Sequence, residues 1–334
     1  MTAIDGVVDG ADAGVAAETD AGVVEVEVVE RRVVAQGVLE VELRPVDGRP
    51  WPDHGPGAHV DVYLPNGLIR QYSLLAAAKA APTAKIAVLK TVDSRGGSQL
   101  VHERLRPGHR ILVSEPKNTF ELGADDEHAV LVAGGIGVTP LLAMARELAA
   151  RGSSFEFHYR VRTPDRVAFA DELAELVPNG ALHIGADSDG GIFAPESVLR
   201  AAGPNATVYV CGPEPFMEFV RKGATAAGLG ADAVRVEHFK HDADTEGRPF
   251  TLTAARSEVT VQVGPTDTPA QALDRAGVFV PTACEQGVCG TCKVQVLAGT
   301  ADHRDVVLTA SERAGGLITL CCSRSTTDQL VVDL

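Results

Sequence analysis

The spacing of its cysteines constrains this 334-residue chain more than any other feature. Residues 284–292 read C-E-Q-G-V-C-G-T-C, so Cys284, Cys289 and Cys292 form a C-x4-C-x2-C loop. This is the plant-type spacing for a [2Fe–2S] cluster, in which each iron takes two thiolates. Zinc is the weaker interpretation, because structural zinc sites use paired cysteine knuckles or histidine partners and the sequence offers no second knuckle.

The fourth thiolate is expected from the adjacent pair Cys321 and Cys322. Spacing alone leaves both open, since 28 residues separate Cys292 from the first and 29 from the second. Within the loop, Gly287 and Gly290 are expected to relieve crowding so that backbone amides can turn toward the sulfides.

Composition narrows the class of protein. The chain has 45 acidic against 30 basic residues, a formal charge of −15, which argues against sequence-independent binding to nucleic acid or to an anionic membrane. No apolar run approaches the roughly 20 residues of a membrane span, and the start lacks a signal-peptide pattern. We therefore expect a cytoplasmic protein whose clustered cysteines bind metal rather than form disulfides.

The hydrophobic pattern divides the chain into units. Residues 1–24 are expected to be a disordered acidic tail. Short alternating strands over residues 25–122 predict an antiparallel β-barrel, and strand–helix alternation over residues 123–240 predicts a doubly wound α/β domain with a parallel sheet. A polar linker, residues 241–249, then precedes residues 250–334. There, strands around one helix predict a small α+β, β-grasp-like domain.

Two glycine-bearing turns follow predicted strands of the α/β unit. Residues 134–140 (G-G-I-G-V-T-P) stand where a phosphate-binding turn belongs, although the third glycine of the dinucleotide fingerprint is absent. Residues 210–213 (V-C-G-P) end a later strand. Such turns meet at the carboxyl edge of a parallel sheet and can flank a dinucleotide. The candidate NAD-binding residues are Gly134, Gly135, Gly137, Thr139, Pro140, Cys211, Gly212 and Pro213.

A third motif lies in the barrel. Residues 70–73 (R-Q-Y-S) end a strand, and residues 90–98 (K-T-V-D-S-R-G-G-S) lead into a predicted helix. Arg70 offers a fixed cation for a phosphate, while Tyr72 and Ser73 offer a flat ring and a hydroxyl. Amides at the start of the helix can bind an anion.

In this order, R-x-Y-S, G-G-x-G-x-T-P and C-G-P resemble the ferredoxin–NAD(P)H reductase superfamily. With a C-terminal plant-type ferredoxin domain, residues 24–334 are similar to the phthalate dioxygenase reductase family, which includes vanillate demethylase reductase components. The ending C-C-S-R…L-V-V-D-L resembles that family's C-V-S-R…L-V-L-D-L and favours Cys321 as the fourth ligand. The implied metal ligands are Cys284, Cys289, Cys292 and Cys321.

The resemblance implies an NADH-dependent oxidoreductase that passes electrons singly through FMN, rather than FAD, and a [2Fe–2S] cluster to a Rieske-type oxygenase. NADH is preferred although Arg160, Arg162 and Arg166 follow the second α/β strand, where an arginine can accept the 2′-phosphate of NADPH. No catalytic acid or base is expected, because hydride transfer needs orientation more than proton transfer. The implied flavin-binding residues are Arg70, Gln71, Tyr72, Ser73, Lys90, Gly97, Ser98 and Phe239.

Two alternatives stay open at this point. In one, the chain is the same kind of reductase but serves a haem-thiolate monooxygenase. In the other, it is a non-enzymatic iron–sulfur carrier or redox sensor. The alanine-rich residues 76–82 leave room for the second alternative, since they offer few polar side chains to a cofactor, whereas the intact motifs argue against it.

Overall fold

The computed structural model describes residues 22–91, 96–178 and 180–334. The expected tail falls outside these ranges except for its last three residues, as do residues 92–95 of the barrel motif. Three main sheets follow one another along the chain. No helix in the described ranges is long and apolar enough to cross a membrane.

The N-terminal sheet is antiparallel, in the order β4-β3-β6-β1-β2-β5. It curls until its edges meet, because Leu74 after β4 bridges Ile86 in β5 and the Leu75 amide donates to the Lys85 carbonyl at 2.9 Å. Trp51, the single tryptophan, is 1 % exposed in its core. The predicted barrel is confirmed. Its elements are β1 (Val23–Ala35), β2 (Val38–Pro45), β3 (His59–Tyr63), β4 (Ile69–Ser73), β5 (Ala84–Leu89), α1 (Gly97–Arg104) and β6 (Arg110–Ser114).

The middle sheet is wholly parallel, in the order β11-β10-β7-β8-β9. The α2–α3 pair packs on one face and the α4–α5 pair on the other, which confirms the doubly wound prediction. The strand order reverses between β7 and β10, and a ligand crevice forms at such a switch point. The elements are β7 (His128–Gly134), α2 (Val138–Arg151), β8 (Phe155–Val161), α3 (Ala170–Leu176), β9 (Leu182–Ala186), α4 (Pro195–Ala202), β10 (Ala206–Cys211), α5 (Glu214–Ala227) and β11 (Val234–Glu237).

The C-terminal sheet is mixed, in the order β13-β12-β18-β14-β16, with only β12 and β18 parallel. The predicted helix is present as α6, but a second helix, α7, was not predicted. Its signal is local: Thr309 and Glu312 form a capping box at its start. The elements are β12 (Phe250–Ala254), β13 (Val259–Val263), α6 (Pro269–Arg275), β14 (Lys293–Ala298), β15 (Ala301–Asp302), α7 (Ala310–Ala314), β16 (Leu317–Thr319), β17 (Arg324–Ser325) and β18 (Gln329–Val332).

The polar segment before β12 has no regular secondary structure, yet it is held in place. Arg304 donates to the carbonyl of Glu246 at 2.6 Å, and Arg324 donates to that of Thr245 at 2.7 Å. The ring of His241 lies 3.0 Å from the Arg304 carbonyl. The connection is therefore a strap fixed to the C-terminal domain rather than a free tether.

Arg324 anchors this strap from inside the domain. Its side chain is 1 % exposed and also donates to the carbonyls of Asp267, Gly264 and Arg248, at 2.6, 2.9 and 3.1 Å. Its guanidinium carbon lies 5.5 Å from the centre of the Phe250 ring. Burial lowers the pKa of the guanidinium, but from a value so high that the group stays charged. A buried cation is thus solvated by carbonyl oxygens in place of water.

We predict that Arg324→Ala lowers the unfolding free energy of the C-terminal domain by about 3 kcal/mol, since hydrogen bonds to a charged group contribute about 1.5–3 kcal/mol and several carbonyls lose their donor. Urea denaturation followed by circular dichroism measures the loss. Fluorescence of Trp51 reports on the barrel alone and should not change. Arg248→Ala removes an exposed arginine paired with Asp328 at 3.1 Å and is the matched control. An equal loss in both variants would contradict the prediction.

Candidate functional site

The three domains meet around a cleft lined by residues from each of them. The end of β4 in the barrel and the end of β11 in the α/β domain form two of its walls. The cysteine loop of the C-terminal domain forms the third. The lining residues are His59, Gln71, Ser73 and Thr119 from the barrel, Val236, Glu237, His238 and Phe239 from the α/β domain, and Val288, Val306 and Val307 from the C-terminal domain.

Two polar atoms in this cleft are buried without a hydrogen-bond partner among the described residues, Ser73 Oγ and Glu237 Oε2. Leaving such atoms unpaired costs about 1–3 kcal/mol each, so native proteins rarely do so without a ligand or water to satisfy them. The two residues line the same cleft from two domains. They fit a flat heterocycle with donors and acceptors along its edge, such as a flavin ring.

The electrostatics of the cleft floor follow from burial. Burial raises the pKa of Glu237 to about 8, so its carboxyl is mostly neutral at pH 7 and can donate a hydrogen bond. Cys211 is its partner across β10 and β11, and burial together with Glu237 raises the pKa of its thiol. Cys211 lies in the core behind the cleft wall rather than in its lining. The floor is therefore uncharged and polar near neutral pH.

The barrel motif brings a cation against the start of α1. A Cβ on Gly97 would lie 2.7 Å from Arg70 Nε, so the Arg70 side chain crosses the helix where Gly97 leaves room. Ser98 is buried there, and its hydroxyl accepts from the Thr91 amide at 3.2 Å. A guanidinium beside the first amides of a helix suits a phosphate.

The other predicted flavin residues differ in their surroundings. Gln71 reaches the cleft and donates to Asp61 at 2.9 Å. Burial raises the pKa of Tyr72 to about 12, so its hydroxyl stays protonated. Lys90 instead pairs with Glu103 at 3.0 Å. Phe239 is 40 % exposed in the cleft wall.

The two glycine turns touch each other at the switch point. A Cβ on Gly137 would lie 2.1 Å from the Cys211 carbonyl oxygen, and one on Gly212 would lie 3.0 Å from the Gly134 Cα. These glycines therefore serve close backbone packing. Gly135 has a φ of +56° and no atom within 4 Å of its Cβ position, so its face is open to a ligand.

The remaining residues of the two turns are packed. Thr139 and Pro140 are buried in the first turn of α2, where Thr139 Oγ1 donates to the Ile136 carbonyl at 3.0 Å. A Cβ on Gly134 would also lie 3.1 Å from Pro213, which begins the turn into α5. The buried residues thus fix the shape of the turns.

The arginines after β8 divide into two kinds. Arg160 donates to Asp187 at 3.1 Å and to the Gly191 carbonyl at 2.9 Å, so it ties β8 to the loop after β9. Arg162 and Arg166 are exposed, and their side chains make no hydrogen bond or ion pair within the described ranges. Only the last two are free to meet a nucleotide phosphate.

The thiols of Cys284, Cys289, Cys292 and Cys321 are linked by hydrogen bonds. The thiol of Cys284 is hydrogen-bonded to those of Cys289 and Cys321, and the thiol of Cys292 to that of Cys321. Hydrogen bonding with Cys284 raises the pKa of both Cys289 and Cys321. The set can therefore hold four thiolates only beside bound cations. Four thiols in one connected group suit a [2Fe–2S] cluster, in which each iron takes two thiolates.

Cys322 lies next to Cys321, and hydrogen bonding with Cys321 lowers the pKa of the Cys322 thiol to about 7. Its Sγ lies 3.4 Å from Thr319 Oγ1, and a Cβ on Gly287 would approach it to 2.5 Å. Gly287 and Gly290 have φ of +72° and +74°, the left-handed region that favours glycine. The tight loop expected from the sequence is present, and Cys322 fills the space beneath it.

The cysteine loop and the cleft share their backbone. Val288 lines the cleft and precedes Cys289 directly. The Val306 amide donates to the Gly287 carbonyl at 3.1 Å, which holds a second cleft segment against the loop. Sequence reasoning missed Glu237 and this Val306 segment as site residues, since neither belongs to a periodic or spaced motif.

Cys321→Ala is expected to abolish the visible iron–sulfur absorption, because it removes one of the four thiols expected to bind iron. Cys322→Ala, the matched control, should keep it with a modest loss of stability from the small cavity, about 1 kcal/mol. Iron analysis and absorption spectra of the two purified variants show whether Cys321 or Cys322 is the fourth ligand. Retention of two irons in Cys321→Ala would exclude Cys321 as a ligand.

Glu237→Gln should change how stability depends on pH. The folded carboxyl has its pKa raised to about 8, while the unfolded one ionises near its ordinary value, 4.5. The contribution of Glu237 to the free energy of unfolding is therefore full at low pH. It falls by up to about 1.4 kcal/mol per pH unit as the pH rises from 4.5 to 8. Between pH 5 and 8, the free energy of unfolding of the variant, measured by urea denaturation, should therefore rise relative to that of the wild type. Exposed Glu218→Gln is the control, and a difference independent of pH would contradict the prediction.

Two family models match this chain. Residues 252–326 match the 2Fe-2S iron-sulfur cluster binding domain, and residues 131–222 match the oxidoreductase NAD-binding domain. These matches cover the segments that hold the four linked cysteines and the two glycine turns. The chain is an oxidoreductase with an NAD-binding domain and a [2Fe–2S] domain.

Known proteins match most of this chain. Vanillate O-demethylase oxidoreductase of Pseudomonas sp. (strain HR199 / DSM 7063) is 41 % identical over 93 % of this chain and 100 % of its own. The structure of an intact type IV self-sufficient cytochrome P450 monooxygenase matches 93 % of this chain with a TM-score of 0.84 and 35 % identity, but only 41 % of its own length. The structure of phthalate dioxygenase reductase, described as modular for electron transfer from pyridine nucleotides to [2Fe–2S], matches 93 % of this chain and 98 % of its own, with a TM-score of 0.70 and 34 % identity. The chain belongs to the family of phthalate dioxygenase reductase and the vanillate O-demethylase oxidoreductases.

Proposed function

We propose that this chain is the reductase component of an oxygenase system, which takes electrons from NADH on FMN and passes them singly through its [2Fe–2S] cluster to a Rieske-type oxygenase. One observation carries the proposal: the cleft between the barrel motif and the nucleotide domain is closed by Val288, the residue before Cys289. A cytoplasmic location agrees with reduced cysteines and a supply of NADH.

The number of electrons that each group transfers explains why both a flavin and a cluster are needed. NADH releases two electrons as a hydride and a [2Fe–2S] cluster accepts one, so a bound flavin supplies the conversion between them. The protein contributes orientation. Ser73 and Glu237, whose buried polar atoms lack partners among the described residues, would hydrogen-bond to the flavin, and Phe239 lines the same cleft. Arg70, together with Gly97 and Ser98 at the start of α1, would bind the phosphate of the flavin.

The contacts of the three arginines after β8 favour NADH over NADPH. Arg160 is committed to Asp187 and Gly191, so it does not offer a preformed fork to a 2′-phosphate. Arg162 and Arg166 are exposed side chains with no partner in the described ranges that fixes them over the nucleotide. Binding a second phosphate would require ordering them, which costs about 0.5–1.5 kcal/mol per side chain.

Cys289→Ala tests the electron path. Removing one thiolate should abolish the cluster, so NADH-dependent reduction of cytochrome c should fall to background, while NADH still bleaches the flavin band anaerobically. Cys322→Ala is the control and should retain both activities. A Cys289→Ala protein that reduces cytochrome c at the wild-type rate would remove the cluster from the path. A purified chain without flavin would overturn the proposal.

A haem-thiolate monooxygenase is the second candidate acceptor. It is favoured by the TM-score of 0.84 to a self-sufficient cytochrome P450 monooxygenase, which exceeds that to phthalate dioxygenase reductase. Stopped-flow reoxidation of the NADH-reduced protein by a purified Rieske-type oxygenase or by a haem-thiolate monooxygenase separates the two. Faster transfer to the haem protein would replace the first candidate.

A further inference from the structure

One group of ligating side chains has no part in the cleft or the four linked cysteines. Glu156 and His158 lie on β8, and His183 lies on the edge strand β9. His158 stands directly opposite His183 in the parallel register, and Glu156 shares their face because it is two residues from His158. The two imidazole rings stack with centres 4.6 Å apart. One ligand atom from each residue lies within 4.8 Å of the other two.

Two buried atoms of this group lack partners. The His158 side chain is 6 % exposed, and its Nε2 makes no hydrogen bond to any described residue. Glu156 Oε1 is also buried without a hydrogen bond to any described residue. His158 Nε2 lies 3.5 Å from Glu156 Oε2, which is too long for a good hydrogen bond. Unpaired buried polar atoms are rare, and two in one cluster are typical of a ligand-binding site.

The position of the cluster explains why it is polar. Phe155, Phe157 and Tyr159 on the other face of β8 fill the core beneath α2 and α3. On the cluster's face, α4 and α5 pack mainly over β7 and β10. Phe193 lies 5.8 Å from the His158 ring and shields it on one side. His183 is exposed, so it provides an open path and can rotate toward an incoming ion.

The donor set selects the class of ligand. Two imidazole nitrogens and one carboxylate oxygen suit divalent transition ions, whereas Mg²⁺ and Ca²⁺ prefer oxygen-only sites. Zn²⁺ is commonly bound by two histidines and a glutamate, with a fourth position left to water.

We propose that Glu156, His158 and His183 bind one divalent transition-metal ion, with Zn²⁺ the best match, at the edge of the nucleotide-binding sheet and separate from the [2Fe–2S] cluster. The ion joins the edge strand β9 to β8 through side chains. Because the ion binds the folded state, it raises the thermal stability of this domain.

Equilibrium dialysis of the intact holoprotein against zinc chloride tests the proposal, with iron and zinc measured in the same sample. The wild type should bind one zinc in addition to its two irons. His183→Gln changes an exposed residue, so the fold should persist, and zinc affinity should fall by at least about tenfold. His109→Gln replaces an exposed histidine of the barrel and should bind zinc like the wild type. The iron content shows that zinc has not displaced iron from the cysteines.

Two further measurements sharpen the outcome. Glu156→Gln should also weaken zinc binding, and magnesium chloride should neither bind nor raise the melting temperature of the wild type. The proposal is overturned if the wild type binds no zinc beyond that of His183→Gln. It is likewise overturned if zinc binds equally to the wild type, His183→Gln and Glu156→Gln, since the ion then lies elsewhere.

Discussion

The buried guanidinium of Arg324 is the interaction on which the arrangement of the site depends. It donates to carbonyls before β12 and around the turn after β13, and so fixes the connection between the nucleotide domain and the C-terminal domain. Arg304 binds the same strap from the other side. With the strap fixed, Val288 and Val306 close a cleft whose other walls belong to two different domains. A flexible tether would not hold the cysteine loop at a constant distance from that cleft.

A second constraint is that the cleft floor is polar but carries no charge near neutral pH. Glu237 is buried with a pKa raised to about 8, and Cys211 behind it keeps its proton. Ser73 adds an unpaired hydroxyl from the barrel. A protein evolves such unpaired groups at a functional site, because a bound ligand satisfies them and its binding offsets their cost. The cleft and the cluster loop together form one continuous site although they come from separate folding units.

Local sequence signals predicted much of this. The cysteine spacing, the alternating strands of the barrel and the strand–helix alternation of the middle domain are short-range patterns, and the structure follows them. Helix α7 was missed because it has five residues and no period, although its capping box could have indicated it. The strap was interpreted as a linker, since its polar composition gives no hint of arginines that bind it from residues about 60 to 80 positions away.

The sequence by itself determined the domain classes, the loop of three cysteines and the motifs at the strand ends, because each depends on residues within about ten positions of one another. Only the tertiary structure decided that Cys321 faces Cys284 and Cys292 while Cys322 lies under Gly287. It also decided that Gly134, Gly137 and Gly212 serve mutual packing, and that Glu156, His158 and His183 stand together. The physical reason is the same in each case: long-range register and domain contacts set these neighbours, and no local pattern encodes them.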